Sequence, residues 1–489
     1  MNIITRVTTA GIFLLASVGP TLAEGQMPDA TNNNSALKMA PCFIAGLKER
    51  VTCGSLELPL DYSDPDGVKI PVHVAVLPAV SATPEKDPLV VFAGGPGQTA
   101  GDYGPFAKVA FHEILKKREI ILIDQRGTGK SYGMRCEYGT LEDVLLDPTE
   151  VAQVCRAEYD IDVRHFTLEN IMRDTNEIRK KLGYQQLNLW GGSYGTKSVS
   201  LYLKRYPEQV RSIIVDGVLP PDQSLFLSAP ASAERALGKL VADCETQSSC
   251  QAAFPDFRKQ VGELVERAAQ GELSFKGLDP ITGKPLDIDI EFEVVIESIR
   301  SVMYGAEGTT LLPYVVNQAH AGNLTPMLAS LLGSSAISDS MYMGATLSLL
   351  CGEDVASVTA EQAAKAGEGS FARDSYYRIW SSSCKGWDFM RPTEADFFSP
   401  ATGDVPALIL SGDLDPVTPP PLGERWLEGF PNGRHIIVAG TGHNTSHVGC
   451  MPKLLGEFME SLDAKALDAS CLDYLDRLPL VVSANGNIK

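Results

Sequence analysis

The sequence predicts an α/β chain, a mostly parallel, doubly wound sheet interrupted by a largely helical insertion. Three observations carry that expectation. Wholly apolar runs such as Leu-Val-Val-Phe-Ala within 88–93 and Ile-Ile-Leu-Ile within 119–123 are too short for helices, and they lack the alternation of a half-exposed strand. They read as strands covered on both faces. Stretches of helical periodicity separate such runs, as in a sheet whose parallel strands are joined by helices. The alternation stops over residues 226–395 and returns at Val405.

Taken in order, residues 1–23 read as a cleaved export signal. Arg6 lies in a short leading region, Ala10 to Val18 is apolar but too short to span a bilayer, and Thr21-Leu22-Ala23 supplies small residues before the cut. Polar residues 24–40 read as a flexible leader. Leu56–Leu60 and Val68–Leu77 alternate apolar and polar residues around Asp64-Pro65-Asp66-Gly67, the pattern of a β-hairpin. Helices are predicted over Phe111–Lys117 and Asn170–Leu182, strands over Leu187–Trp190 and Arg211–Val215, and a helix over Thr196–Tyr206. The insertion holds helical stretches at Phe257–Ala269, Phe292–Tyr304 and Ser340–Leu350 around a turn-rich segment, Gly277–Asp287. Strands Pro406–Leu410 and His435–Val438 then alternate with helices Leu422–Phe430 and Leu454–Leu462. The predicted organisation is a signal (1–23), a core segment (24–225), a lid (226–395) and a second core segment (396–489).

A formal net charge of −19 makes nucleic acid an unfavourable partner, and no later stretch approaches the roughly 20 apolar residues of a membrane helix. The oligomeric state is not legible. Ten cysteines in an exported chain imply disulfides. Their spacing suggests local pairs: Cys42 with Cys53, Cys136 with Cys155, Cys244 with Cys250, Cys351 with Cys384, and Cys450 with Cys471. No Cys-x-x-Cys spacing or Cys and His pairing suggests a metal.

The chemistry centres on Leu187-Asn-Leu-Trp-Gly-Gly-Ser-Tyr-Gly-Thr196, a strand, a tight turn and a helix. Such a turn holds Ser193 in a strained conformation and exposes its hydroxyl above the sheet, with glycines where strand and helix must approach. A serine hydroxyl needs a base. His443, in Gly440-Thr-Gly-His-Asn444 after the last strand, is the candidate, with His447 as its rival. A carboxylate must orient the imidazole and stabilise its cation. Asp415, after the preceding strand, is preferred to Asp413 and Asp216, whose alternative duty is turn formation. Two backbone donors for an oxyanion are expected from Tyr194, after the nucleophile, and from Gly95 in Gly94-Gly-Pro-Gly97. Gly127-Thr-Gly-Lys-Ser131 imitates the end of a phosphate-binding loop, but that loop's first glycine is missing, Asp124 standing five residues before Gly129, and no cofactor is expected.

In Gly94-Gly-Pro-Gly97, Asp124-Gln-Arg-Gly-Thr-Gly129, Gly191-Gly-Ser-Tyr-Gly-Thr196 and Gly412-x-x-Asp415-Pro-Val-Thr-Pro, the chain resembles the proline-iminopeptidase and tripeptidyl-aminopeptidase family of α/β-hydrolase serine peptidases. Gly442-His443 followed by Cys450 and Cys471 resembles the tripeptidyl-aminopeptidase-like branch. The resemblance covers roughly residues 42–225 and 380–475, and the lid only in patches. It implies removal of residues from peptides with a free N-terminus, often next to proline, by an exported enzyme, secreted or periplasmic. Ala93 departs from the histidine many relatives carry before Gly-Gly-Pro-Gly. An aminopeptidase must also hold the substrate's α-ammonium group, and Glu353 and Asp354, after Cys351-Gly352, are the candidates, with helix-end acids as the alternative reading. Arg126 is expected to brace the elbow. A carboxylesterase with the same triad and a silent binding protein on the same fold are the rival functions. Serine at the elbow disfavours an epoxide hydrolase or dehalogenase.

Overall fold

The apolar runs form strands because both of their faces are covered. The structure, a computed structural model, describes residues 37–136, 147–279, 283–333, 341–387 and 395–486, so the predicted signal lies outside the described residues. Strands β1 (Ala40–Cys42), β2 (Val51–Pro59), β3 (Lys69–Leu77), β4 (Leu89–Phe92), β5 (Ile120–Ile123), β6 (Leu187–Gly192) and β7 (Val210–Asp216) come first. The hairpin β8 (Ser274–Leu278) and β9 (Pro285–Asp289) follows, then β10 (Ala407–Gly412) and β11 (Gly433–Val438). Among the described residues, all but β8 and β9 join one sheet in the order β1-β2-β3-β5-β4-β6-β7-β10-β11. The joins from β1 to β5 are antiparallel and those from β5 through β11 are parallel.

Successive residues of the central strands enter opposite cores. Val90, Phe92, Ile121, Ile123, Leu189 and Ile409 pack on one face. Leu89, Val91, Ile120, Leu122, Trp190 and Leu408 pack on the other. Period-two side-chain alternation with apolar residues at every position requires helices on both sides. The lid has a core of its own, built from residues between Ala233 and Leu328 together with Phe371, Ala372 and Leu480.

Helices α1 (Gly104–Ala110), α2 (Leu168–Leu182), α3 (Gly195–Arg205), α4 (Leu225–Thr246), α5 (Phe257–Ala269), α6 (Phe292–Val302) and α7 (Met343–Gly352) serve the argument below. The ends of α2 illustrate how local sequence sets them. The Thr167 side chain accepts from Asn170 N–H at the start, and Gly183, at φ +82°, closes the far end.

Several boundaries differ from expectation. The early helix is Gly104–Ala110, and Phe111–Lys117 holds only a 3-10 turn, Ile114–Lys116. The chain leaves the helix at Phe111, at φ −116°, whose ring is wholly buried. The turn-rich part of the lid is the hairpin β8–β9, paired from Ser274 with Asp289 to Leu278 with Pro285. The leader is shorter than expected, because Ala40 pairs with Cys53 and Leu37 and Met39 pack on the core. At the other end, Val481 N–H donates to Thr310 O, so the tail returns to the lid. All five expected cysteine pairs are disulfides.

Candidate active site

Each catalytic candidate sits just beyond the carboxyl end of a parallel strand: Gly95 after β4, Ser193 after β6, Asp415 after β10 and His443 after β11. The chain reverses its direction of travel across the sheet at β4, next to β6, which is where ligands bind in open α/β sheets.

Ser193 adopts φ +52°, the left-handed region a non-glycine residue enters at a cost of roughly 1–3 kcal/mol. The turn is compact because its flanks are bare. A Cβ on Gly191 would stand 2.4 Å from Gly195 O, and one on Gly195 2.4 Å from Phe92 O. Ser193 N–H donates to Asp216 O at 2.8 Å, which ties the elbow to the end of β7. Ser193 is partly exposed between buried neighbours.

His443 Nδ1 lies 2.7 Å from Asp415 Oδ2. The imidazole is 7% exposed and Asp415 is wholly buried. Asp415 Oδ1 accepts from Val417 and Thr418 N–H at 2.8 and 2.9 Å, and Thr418 Oγ1 donates to Oδ2 at 2.8 Å. Burial opposes ionisation of Asp415, but the histidine's charge and hydrogen bond and these backbone donors outweigh it and hold its pKa below 3.8. Burial likewise opposes the imidazolium. The Asp415 charge and hydrogen bond overcome it, with a smaller contribution from Asp216, and the His443 pKa sits above 6.5. Nδ1 is assigned the proton because a carboxylate accepts there, leaving the Nε2 lone pair for a substrate-side proton. No hydrogen bond joins Ser193 Oγ to His443 among the described residues, and such bonds often tighten only when substrate binds.

The alternatives fall to other duties. His447 is exposed and its ring packs on Phe106 at 5.8 Å. Asp413 accepts from Gly440 N–H and pairs with Lys239 and Arg477. Asp216 accepts from the N–H groups of Thr445 and Ser446 and from the Ser446 hydroxyl at 2.7–2.9 Å. One residue thereby holds both the elbow, through its carbonyl, and the histidine loop, through its carboxylate. Sequence reasoning missed that role, as well as Thr418 and the lid residue Tyr304. Tyr304 O accepts from His443 N–H at 2.8 Å, and its ring meets the imidazole edge-on at 5.3 Å. An acid followed two and three residues later by donor N–H groups is an Asx-turn signature, so the Thr418 contact was findable.

Tyr194 N–H is among the leading N–H groups of α3, which lack intrahelical partners. Gly95 N–H is engaged: it donates to Gln98 Oε1 at 3.1 Å, and Tyr103 Oη donates to the same oxygen at 3.1 Å. Gly95 can face an oxyanion only after the Gln98 amide turns away. Arg126, 1% exposed, is a brace, although not directly of the elbow. It grips Asp174 at 2.7 and 2.8 Å and donates to the carbonyls of Pro59, Leu60 and His165.

Glu353 and Asp354, expected to hold the substrate's ammonium group, lie just beyond the C-terminal end of α7 against Tyr194 and Lys197. They are 2% and 0% exposed, and core groups meet both Glu353 oxygens and one of the two Asp354 oxygens. Glu353 Oε2 accepts from Tyr194 Oη at 2.7 Å and Oε1 from Leu168 N–H at 2.9 Å. Asp354 Oδ1 meets Lys197 Nζ at 2.6 Å. Carboxylates this deep need donors on the spot; core groups supply them to both Glu353 oxygens and to Asp354 Oδ1, whereas the buried Asp354 Oδ2 has none. Burial is the main cause that pushes the Glu353 pKa from 4.5 up to about 7; the bonds from Tyr194 and Leu168 and the Lys197 charge oppose it, and the Asp354 charge adds to it. An acid with a raised folded pKa favours the folded state while protonated there, and this advantage disappears as pH climbs from about 4.5 through 7. Between about pH 5 and 7 the Tm of the wild type should therefore fall more steeply than that of Glu353→Gln. Equal slopes would remove the assignment.

The strand order, the left-handed serine and the buried histidine–aspartate pair define an α/β-hydrolase chain. A family model described as alpha/beta hydrolase fold matches residues 87–274, and one described as TAP-like protein matches residues 371–471. The chain has the α/β-hydrolase fold, and its C-terminal region is similar to the TAP-like family. It is similar to the serine protease Hip1 of Mycobacterium tuberculosis, with 27% identity over 226 residues, 40% of this chain and 42% of the relative. It is 26% identical over 198 residues to a tripeptidyl aminopeptidase of Streptomyces lividans, covering 36% of this chain and 37% of the relative. To carboxylesterase B of Mycobacterium tuberculosis it is 30% identical over 234 residues, covering 42% and 45%. Each match spans less than half the length of the relative.

Proposed function

We propose that this chain is an exported serine aminopeptidase that releases residues, singly or as di- or tripeptides and with proline among the favoured neighbours, from peptide N-termini through an acyl-enzyme. The observation that carries the reading is the 2.7 Å contact between His443 Nδ1 and Asp415 Oδ2 beside a left-handed Ser193, in the chain order serine, aspartate, histidine. Ser193 Oγ attacks the scissile carbonyl while His443 Nε2 takes its proton, and Asp415 stabilises the imidazolium. Tyr194 N–H meets the developing oxyanion, joined by Gly95 N–H once Gln98 is displaced. The imidazolium returns the proton to the departing amine, and water then repeats the sequence on the acyl-enzyme. No metal or cofactor enters the scheme. The TAP-like match and the peptidase relatives support this reading, and five disulfides are in keeping with export.

The second reading is a carboxylesterase, which uses the same three side chains and which one relative is named for. Hydrolysis of prolyl, alanyl and tripeptidyl arylamides, compared with short acyl esters, separates the two. Arylamide turnover that requires a free N-terminus is expected, and turnover of esters alone would replace the peptidase with the esterase.

A further inference from the structure

The lid helix α7 touches both halves of the proposed oxyanion site. At its N-terminal end, Tyr342 N–H donates to Gly97 O at 2.9 Å, and Met341 bridges Gln98 in an antiparallel pair. One turn on, Thr346 Oγ1 donates to Pro96 O at 2.7 Å, and a Cβ on Gly97 would stand 2.3 Å from that hydroxyl oxygen. The Gly94–Gly97 loop is thus seated on α7. At the C-terminal end, Glu353 takes the Tyr194 hydroxyl, and Asp354 takes Lys197 in the helix that follows the nucleophile. The ten residues between these ends span about 15 Å. The helix is itself held, because Cys351 is bonded to Cys384 and Ser348 Oγ accepts from Trp387 Nε1 at 3.1 Å.

Resting on the reading of Ser193 as an acyl-transfer nucleophile, we propose that α7 is a splint that sets the spacing between the Gly94–Gly97 loop and Tyr194, with Thr346 and Glu353 as positioning residues. A rigid element anchored at both donors fixes the gap an oxyanion must fill, and donors help only when preorganised at that distance. The lid on this view acts in transition-state stabilisation as well as in covering the site. Glu353 suits the task because its two oxygens satisfy two fixed donors, Tyr194 Oη and Leu168 N–H, from different elements.

Thr346→Val and Tyr194→Phe each remove one anchor and leave every backbone donor in the chain. Each should lower kcat about 10-fold, less than the 10²–10³ lost with a whole donor, with KM changed less than about 2-fold. The loss should be the same for a peptide arylamide and for a short acyl ester too small to reach the lid. Inhibition by a peptide aldehyde, which forms the tetrahedral adduct, should weaken in parallel, while the matching peptide alcohol binds as before. The double variant should lose little more than either single one, because loosening one end already costs the splint its fixed spacing. Thr346→Ser keeps the hydroxyl and should retain wild-type kcat, which separates the hydrogen bond from folding if the valine variant is unstable. Losses confined to KM, equal weakening of aldehyde and alcohol, multiplicative losses in the double variant, or wild-type kcat in both single variants would each overturn the proposal. Should arylamides not be cleaved at all, the peptidase reading falls, and the ester measurements still decide the splint.

Discussion

Ser193→Ala is expected to abolish labelling by a fluorophosphonate and to lower kcat by about 10⁶-fold, with KM little changed. The covalent step has one nucleophile. Ser193 is the partly exposed residue at the elbow, and the backbone that presents it is held by Asp216 O and by the close contacts of Gly191 and Gly195. Alanine at φ +52° is no less strained than serine, so the fold should persist and the loss should be chemical. Circular dichroism and Tm close to wild type, together with the lost labelling, would complete the result. Retained labelling at another residue would displace Ser193 from the mechanism.

Asp415→Asn should cost roughly 10⁴-fold in kcat, more than removal of one oxyanion donor. The carboxylate's Oδ1 accepts from Val417 and Thr418 N–H, so the asparagine oxygen is drawn to that side. Its NH₂ then faces His443 Nδ1, which can only accept. That forces the proton onto Nε2, the nitrogen that must be free to receive the serine proton. The pH profile adds an independent sign. A base works when neutral, so wild-type kcat/KM should rise with pH through a pKa that lies above 6.5. Loss of the Asp415 charge lowers the imidazole pKa, and the acid limb should move to lower pH. An acid limb that stays in place would point to another carboxylate, with Asp216 the first to examine, since its charge also bears on His443.

Strands β4, β5, β6 and β10 were legible because both faces are covered, so nearly every residue had to be apolar, the buried Asn188 of β6 and Ser411 of β10 being hydrogen-bonded exceptions. The five cysteine pairs were legible because each closes a short loop. The early helix was misplaced because residues 104–117 are apolar enough throughout to support helix at either end, and the packing of Phe111 against Phe106 and Trp190 decided between them. The hairpin β8–β9 was hidden because a two-stranded ribbon has only one covered side and frequent turn residues.

By itself the sequence singled out the candidate groups: a serine between glycines at the end of an apolar strand, with an acid and a histidine following the last two strands, in that order. Those signals are local, since each depends on a few neighbouring residues and the strand just before them. Only the tertiary structure decided which partners the polar groups found. Glu353 and Asp354 could have faced solvent or a substrate, Gln98 gave no sign that it covers Gly95, and Asp216 looked like a turn acid. A carboxylate has the same local pattern whether it meets water or a tyrosine more than a hundred residues distant, and desolvation forces the choice only after the segments have converged.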